Sequence, residues 1–550
     1  TEEVITSEEE ILNEVEYDVT DPSPESTDLV DEAQTDPARP NLSTELVAWS
    51  AKHGCKRQWF NDLLEILRRQ GHKLPKDCRT LLQTPNKVQI SDKCGGQYIY
   101  FGLKKGILKN ISSSKTFQEG MHSVDLCINV DGVPLFKSTS VQFWPILCSF
   151  HQFEPFIVAL FCGGSKPESV DDYVSDFLEE LKLLTNNGIH FEDRVFNVTV
   201  KAFICDAPAR SYLKCCKGHN SYFGCERCKI KGSWEGRVVF TGEEACNDRT
   251  DEQFKNFEYK EHQQRLSPLA AAGIGCISQF SLDYMHLACL GVGKRILIFL
   301  KQGPPKCRLS VRQRKEISDN LEILSGNNVV SKELYTHFLM LTVALSVMLD
   351  SDERKRNAYL NYAQKLLDTF VDNAQHLYRP TFVIYNVHSL RHLHQDVVQF
   401  NCSLNYVSAF PFENFLQSLK KLVRNSHNPI AQVVKRMKEK ERVQSNCEAS
   451  GSRMYILSRQ KDCCFLLDNE DFAFVKEKRA DRSLLCDVVR QTQTCNFFTE
   501  PCESQLFNTV YVNSLEIFLQ PFKISQFERS SKVTDQEECL VELTQLFKYA

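Results

Sequence analysis

The sequence predicts a mixed chain of the α+β or α/β class, with one central sheet, helices packed on it and smaller units at both ends. Three observations carry this. Residues 124–206 run as three strand-like stretches, one amphipathic helix and a further strand. Two of those strands end on a lone carboxylate, Asp131 and Asp206. A long stretch dominated by helix-like patterns follows, bracketed by a Cys-x-x-Cys and a His-x-x-x-His.

The elements follow in order. At 550 residues the chain is too long for one core and should divide into two to four domains. Residues 1–40 carry fourteen Asp and Glu against one Arg, so an acidic, disordered tail is expected there. The rest holds 65 basic and 57 acidic side chains, a mild positive excess that permits a polyanionic partner. Residues 41–90 read as a small helical unit. Its two helices about His53-Gly54 resemble a helix-turn-helix with Lys56, Arg57, Arg68 and Arg69 at hand, and suit a plain packing module equally well.

From residue 91 the period changes. QYIYFGL and KGILKNI read as a hairpin, and SVDLCINVDG as a strand with Val124, Leu126, Ile128 and Val130 on one face. Strands at 141–150 and 155–164 come next, then the amphipathic helix 169–188, then RVFNVTVKAFICD ending on Asp206. This is the strand and helix order of the ribonuclease-H-like fold, which would set Asp131 and Asp206 side by side. A third carboxylate is supplied by Glu413, in the first turn of the helix SAFPFENFLQSLKKLVRN, whose apolar residues form one stripe. The expected division is a first core part at 91–217, a helical insertion at 218–400, the last core helices at 401–450 and a β-rich domain at 451–550.

Asp131, Asp206 and Glu413 suit the binding of two Mg²⁺ or Mn²⁺ ions for phosphoryl transfer. Singly, each also suits a turn cap or a helix start. Cys225 and Cys228 with His388 and His392 make a Cys₂His₂ set for structural Zn²⁺, with His394 and His286 as competing donors. That set would tie the start of the insertion to its end. The other cysteines of the 23 are expected to be buried reduced thiols. The longest apolar runs, such as FLMLTVALSVML, fall short of the roughly 20 residues of a membrane span, so no membrane partner is expected. Basic side chains after Glu413 (Lys420, Lys421, Arg424, Lys435 and Arg436) are expected on DNA phosphates, or on a solvated helix face. No Walker loop, nucleophile elbow or dinucleotide fingerprint is present, which leaves nucleotide hydrolysis and hydride transfer without support.

DGVPLFKS, CDAPARSYLKCCKGH, LDYMHLACLGVGKR, NVHSLRHL and SAFPFENF, in that order, resemble the transposases of animal cut-and-paste DNA transposons. In particular they resemble an uncharacterised transposase-domain family of invertebrates and fish. The spacing of Cys pair, His pair and Glu is also similar to the catalytic core of Transib-type transposases and the V(D)J recombinase. The resemblance covers roughly residues 45–445. It implies a nuclear, dimeric DDE-type enzyme that nicks and joins DNA at terminal inverted repeats and at target DNA. One departure is that GNNVVSKELY follows the expected helix near 316–324 almost directly, where that family has a longer stretch. A domesticated, inactive DNA-binding or regulatory descendant is the alternative this departure favours.

Overall fold

A computed structural model describes residues 42–314 and 330–447, apart from 54, 86, 115–116, 118–119 and 243–246, and six strands between 464 and 523. The acidic start, the expected helix near 316–324, MYILSRQ and the C-terminal ECLVELTQLFK lie outside the described residues.

The chain divides into two units, the first ending at Leu82. In it, helices Leu42–His53, Arg57–Arg69 and Cys78–Leu81 bury Leu46, Phe60, Leu64 and Cys78 against one another. Asp77 starts the third helix by accepting the N–H of Arg79 at 2.8 Å.

The second unit is built on a mixed sheet. Its strands are β1 (Ser91–Lys93), β2 (Gly96–Tyr100), β3 (Ser123–Val130), β4 (Val133–Pro134), β5 (Gln142–Phe150), β6 (Phe156–Gly163), β7 (Ile189–Phe191) and β8 (Arg194–Ile204). Farther on, β9 (Ser233–Trp234) and β10 (Val238–Val239) form a separate hairpin, and β11 (Phe280–Ser281) returns to the sheet. The sheet order is β1-β2-β6-β5-β3-β8-β11, with β4 on β5 and β7 on β8. β3 pairs β8 in parallel, and β8 pairs β11 in parallel; the other pairs are antiparallel.

β3 is central because both its faces are largely apolar. Val124, Leu126, Ile128 and Val130 join one hydrophobic cluster and Cys127 the other. Asn129, between them, donates its side-chain N–H to the carbonyl of Ile204 at 2.7 Å, stitching β3 to β8 just before both carboxylates. Helix Val170–Asn187 covers the first cluster with Tyr173, Val174, Phe177, Leu181 and Leu184. Ser169 caps its start, and Gly188, at φ +67°, ends it in the region glycine favours. Helices Lys294–Gln302, Lys332–Leu349, Glu353–Leu377 and Phe410–Lys420 cover the other face.

Two expectations are corrected. KGILKNI is no strand: it lies in helix Leu103–Ser113, because Leu103, Ile107 and Ile111 recur every four residues and are fully buried. The insertion is not helical throughout. Among the described residues of 214–283 there are two short helices, Asp251–Lys255 and Pro268–Ala271, beside the β9–β10 hairpin, and this stretch supplies β11, whose two residues are too few to show a period. Helix Lys332–Leu349 begins before its apolar stretch and ends with it, and by length and composition it is long enough to cross a membrane, with 61% of it buried inside the protein. It packs chiefly along Glu353–Leu377, where His337 Nε2 donates to the Phe370 carbonyl at 2.8 Å.

Beyond residue 451, Cys464–Leu466, Phe472–Lys478, Ser483–Val489 and Phe518–Lys523 form an antiparallel sheet, and Thr494–Asn496 pairs Val510–Val512. The described residues there are all strand.

Candidate metal centre and carboxylate site

The Cys₂His₂ set assembles. Cys225 and Cys228 come from the loop after helix Ala207–Leu213; His388 and His392 come from helix Tyr385–Ser389 and the 3₁₀ turn Leu390–His392. All four side chains are buried. The two sulfurs are 3.4 Å apart, as are Cys228 Sγ and His388 Nε2, and the two histidine Nε2 atoms. A tetrahedral zinc with bonds of about 2.3 Å to sulfur and about 2.05 Å to nitrogen needs edges of roughly 3.8 Å and 3.3 Å. The observed separations fall within a few tenths of an ångström of these, so the cluster could hold a structural metal such as zinc. Burial opposes ionisation of Cys225, but the Cys228 thiol and the imidazoles of His388 and His392 pull it well below the usual thiol value. Burial pushes several other thiols the opposite way: Cys127 and Cys276 to about 12, Cys162 to about 11. No disulfide joins the described cysteines. The competing donors fall elsewhere: His394 Nδ1 meets the Arg391 carbonyl at 2.9 Å, and His286 belongs to the second cluster.

That second cluster brings together Asp131, His286 and Glu413, with one potential ligand atom of each within 4.8 Å of the others. Asp131 follows β3, where it accepts the Gly132 N–H at 2.6 Å. Glu413 lies in the first turn of helix Phe410–Lys420. Asp206, directly after its neighbour β8, caps helix Ala207–Leu213 by accepting the N–H of Ala209 at 2.8 Å. It stands outside the three-residue group but near enough for its charge to act on Asp131. Burial, then the Asp206 charge, then a hydrogen bond with Glu413 raise the Asp131 carboxyl to about 8.

Sequence reasoning undervalued His286. Its Nδ1 lies 2.6 Å from Asp283 Oδ2, while Nε2 faces Glu413 Oε1 at 3.8 Å. Asp283 is buried, has a left-handed backbone (φ 52°) and accepts the N–H of Ala409 at 2.9 Å, so it ties His286 to the helix bearing Glu413. Burial works against protonation of His286, but Asp283, Asp206 and Asp131 outweigh it and raise its pKa. The i, i+3 spacing of Asp283 and His286 at the start of an apolar π-helix, Met285–Gly293, was the signal available.

Sequence reasoning also missed the residues between the cysteines. Glu226 takes Arg210 Nε at 2.9 Å and Lys214 Nζ at 2.6 Å, and Arg227 pairs with the fully buried Asp396. The expected DNA contacts Lys421 and Arg424 are exposed, whereas Lys420, Lys435 and Arg436 are partly buried.

Compared with protein-family models and with curated proteins, the chain finds no match.

Proposed function

We propose that the chain is a DDE-type DNA transposase, or a descendant of one, whose ribonuclease-H-like core cleaves and joins DNA strands. The observation that carries this reading is the meeting of Asp131, just after β3, with Glu413, in the first turn of helix Phe410–Lys420, and His286, while Asp206, just after β8, is near enough for its charge to act on Asp131. The strand order also supports it. An antiparallel run β6-β5-β3, continued on the far side of β3 by two parallel strands, is the ribonuclease-H-like order.

In this reading Asp131, Asp206 and Glu413 would hold two Mg²⁺ or Mn²⁺ ions, which would supply activation of a water or 3′-hydroxyl and stabilisation of the leaving oxygen. The chain's own residues fix the geometry. The capping bond to Ala209 holds Asp206, the Gly132 N–H holds Asp131, and Asp283 keeps the His286 ring turned toward Glu413. The Cys₂His₂ set holds structural Zn²⁺ and joins the two ends of the inserted segment. Lys421 and Arg424, with Lys420, Lys435 and Arg436, lie beyond Glu413, where DNA backbone would pass. The partners are then transposon ends and target DNA, and the acting form a nuclear dimer.

The test is zinc content together with Mg²⁺- or Mn²⁺-dependent nicking of DNA bearing terminal inverted repeats, for wild type and Asp206→Ala. One zinc per chain with nicking lost in the variant is expected. Zinc without nicking in the wild type would overturn the catalytic reading in favour of a domesticated DNA-binding descendant.

A further inference from the structure

The two residues between Cys225 and Cys228 take different buried partners, and each set of partners leads to the carboxylate site. Glu226 leads to Asp206. Its carboxylate accepts Arg210 Nε at 2.9 Å, Lys214 Nζ at 2.6 Å and the Tyr385 hydroxyl at 2.7 Å. Arg210 lies in the helix that Asp206 caps, and it also donates to the Cys205 carbonyl at 2.6 Å, one residue before Asp206. Arg227 leads to His286 and Glu413. It donates to the carbonyls of Ile277 and, at 2.7 Å, Phe280, and pairs with Asp396. Asp396 accepts the Leu282 N–H at 2.7 Å and the Ser281 hydroxyl at 3.1 Å, immediately before Asp283. Asp283 in turn holds His286 and, through Ala409, the start of the helix that carries Glu413.

Each arm also crosses between the two halves of the ligand set. Glu226, from the cysteine half, meets Tyr385, three residues before His388. Arg227, from the same half, meets Asp396, four residues after His392. Glu226, Arg227, Arg210, Lys214 and Asp396 are all buried, so none can exchange its partner for water without cost. A metal joining the cysteine half to the histidine half therefore closes both arms at once, and its loss lets both open.

We infer that Glu226 and Arg227 are positioning residues that make occupancy of the Cys₂His₂ site a condition for divalent-cation affinity at Asp131, Asp206 and Glu413. This rests on the carboxylate reading given above. The experiment is a Mn²⁺ titration followed by electron paramagnetic resonance, on the full chain. It compares zinc-loaded wild type, zinc-stripped and zinc-reloaded wild type, Glu226→Gln and Asp206→Ala. Glu226→Gln leaves the cysteines and histidines in place and is expected to keep its zinc while weakening Mn²⁺ binding roughly 10- to 100-fold, the range for outer-shell partners. Stripping zinc should weaken binding at least as much, and reloading should restore it. Zinc-retaining Glu226→Gln with wild-type Mn²⁺ affinity would overturn the inference. Should that variant fail to fold, the stripped wild type decides: unchanged Mn²⁺ affinity, or affinity lost only together with far-UV helicity, overturns it. Mn²⁺ binding in zinc-loaded wild type that ignores Asp206→Ala would instead bring down the carboxylate site, and the inference with it.

Discussion

Replacing Asp131 with Asn should stabilise the protein when no divalent cation is added, although most substitutions destabilise. Burial, the Asp206 charge and the hydrogen bond with Glu413 raise the Asp131 carboxyl from 3.8 to about 8. The folded value lies above the unfolded one, so between pH 4 and 8 the native state binds the proton more tightly. Stability is then lost as pH rises through that window and is flat above it. At about 1.36 kcal/mol per unit, the full shift bounds the penalty at roughly 6 kcal/mol. The side chain is only partly buried and keeps some hydration, so about 2–3 kcal/mol is expected, or roughly 2–3 °C in melting temperature for a unit of this length. Asn cannot ionise, and its carbonyl can still accept the Gly132 N–H. The assay is thermal melting in chelator-free, cation-depleted buffer at pH 5, 7 and 9, which leaves the zinc in place. The variant should melt highest above wild type at pH 9, converge with it toward pH 5, and lose its advantage when Mg²⁺ or Mn²⁺ is added to both. A variant that melts at or below wild type at pH 9 would refute the reasoning.

Four further outcomes are expected. Cys228→Ser should take zinc from one per chain toward none, by elemental analysis, and lower the melting temperature, because metal binding adds directly to folding free energy. Asp396→Ala should cost about 3–5 kcal/mol in denaturant unfolding by leaving Arg227 buried and unpaired, while the double variant Arg227→Met with Asp396→Leu should recover much of that loss. Phe177→Ala, which empties a fully buried site under helix Val170–Asn187, should cost about 3–5 kcal/mol by the same measure. Joint replacement of the exposed Lys421 and Arg424 by alanine should weaken DNA binding evenly across sequences and reduce the slope of log affinity against log salt by about 0.9 for each phosphate no longer neutralised.

Much of the sheet and the donor set was legible because the residues concerned obey short periods or short spacings. Val124 to Val130 alternate, the stripe from Val170 to Leu184 recurs at helical spacing, and Cys225 with Cys228 and His388 with His392 each form a local pair. What escaped was non-local or too short. β11 has two residues and takes its identity from β8, against which Phe280 pairs Phe203. The KGILKNI helix was hidden by β-branched isoleucines whose spacing of four, rather than their propensity, decided the outcome. His286 looked like a spare zinc donor because its only sequence sign, an aspartate three residues earlier, does not tell that Asp283 is buried and turns the ring the other way. Glu226 and Arg227 gave no local signal, since their partners lie up to 169 residues away.

Those distances give a reason why a metal tie at the Cys₂His₂ cluster would suit this fold. Asp206 and Glu413 are separated by more than 200 residues, and closing so long a loop costs roughly 5 kcal/mol in chain entropy alone. A covalent cross-link closing a loop of about 100 residues is worth nearly 5 kcal/mol by the same accounting of the unfolded chain. The contact between Cys228 and His388 spans 160 residues, most of that loop, so a zinc held there offsets an entropic cost that no local contact near Glu413 could meet. Zinc alone would bring the two ends of the segment together without fixing their orientation. The buried pairs of Glu226 with Arg210 and of Arg227 with Asp396 supply it, because each has one partner on the cysteine loop and the other on an element leading to a carboxylate. A chain with the four ligands intact and these two pairs replaced by apolar residues should therefore keep its zinc and its fold, and lose the alignment of Asp206 with Glu413.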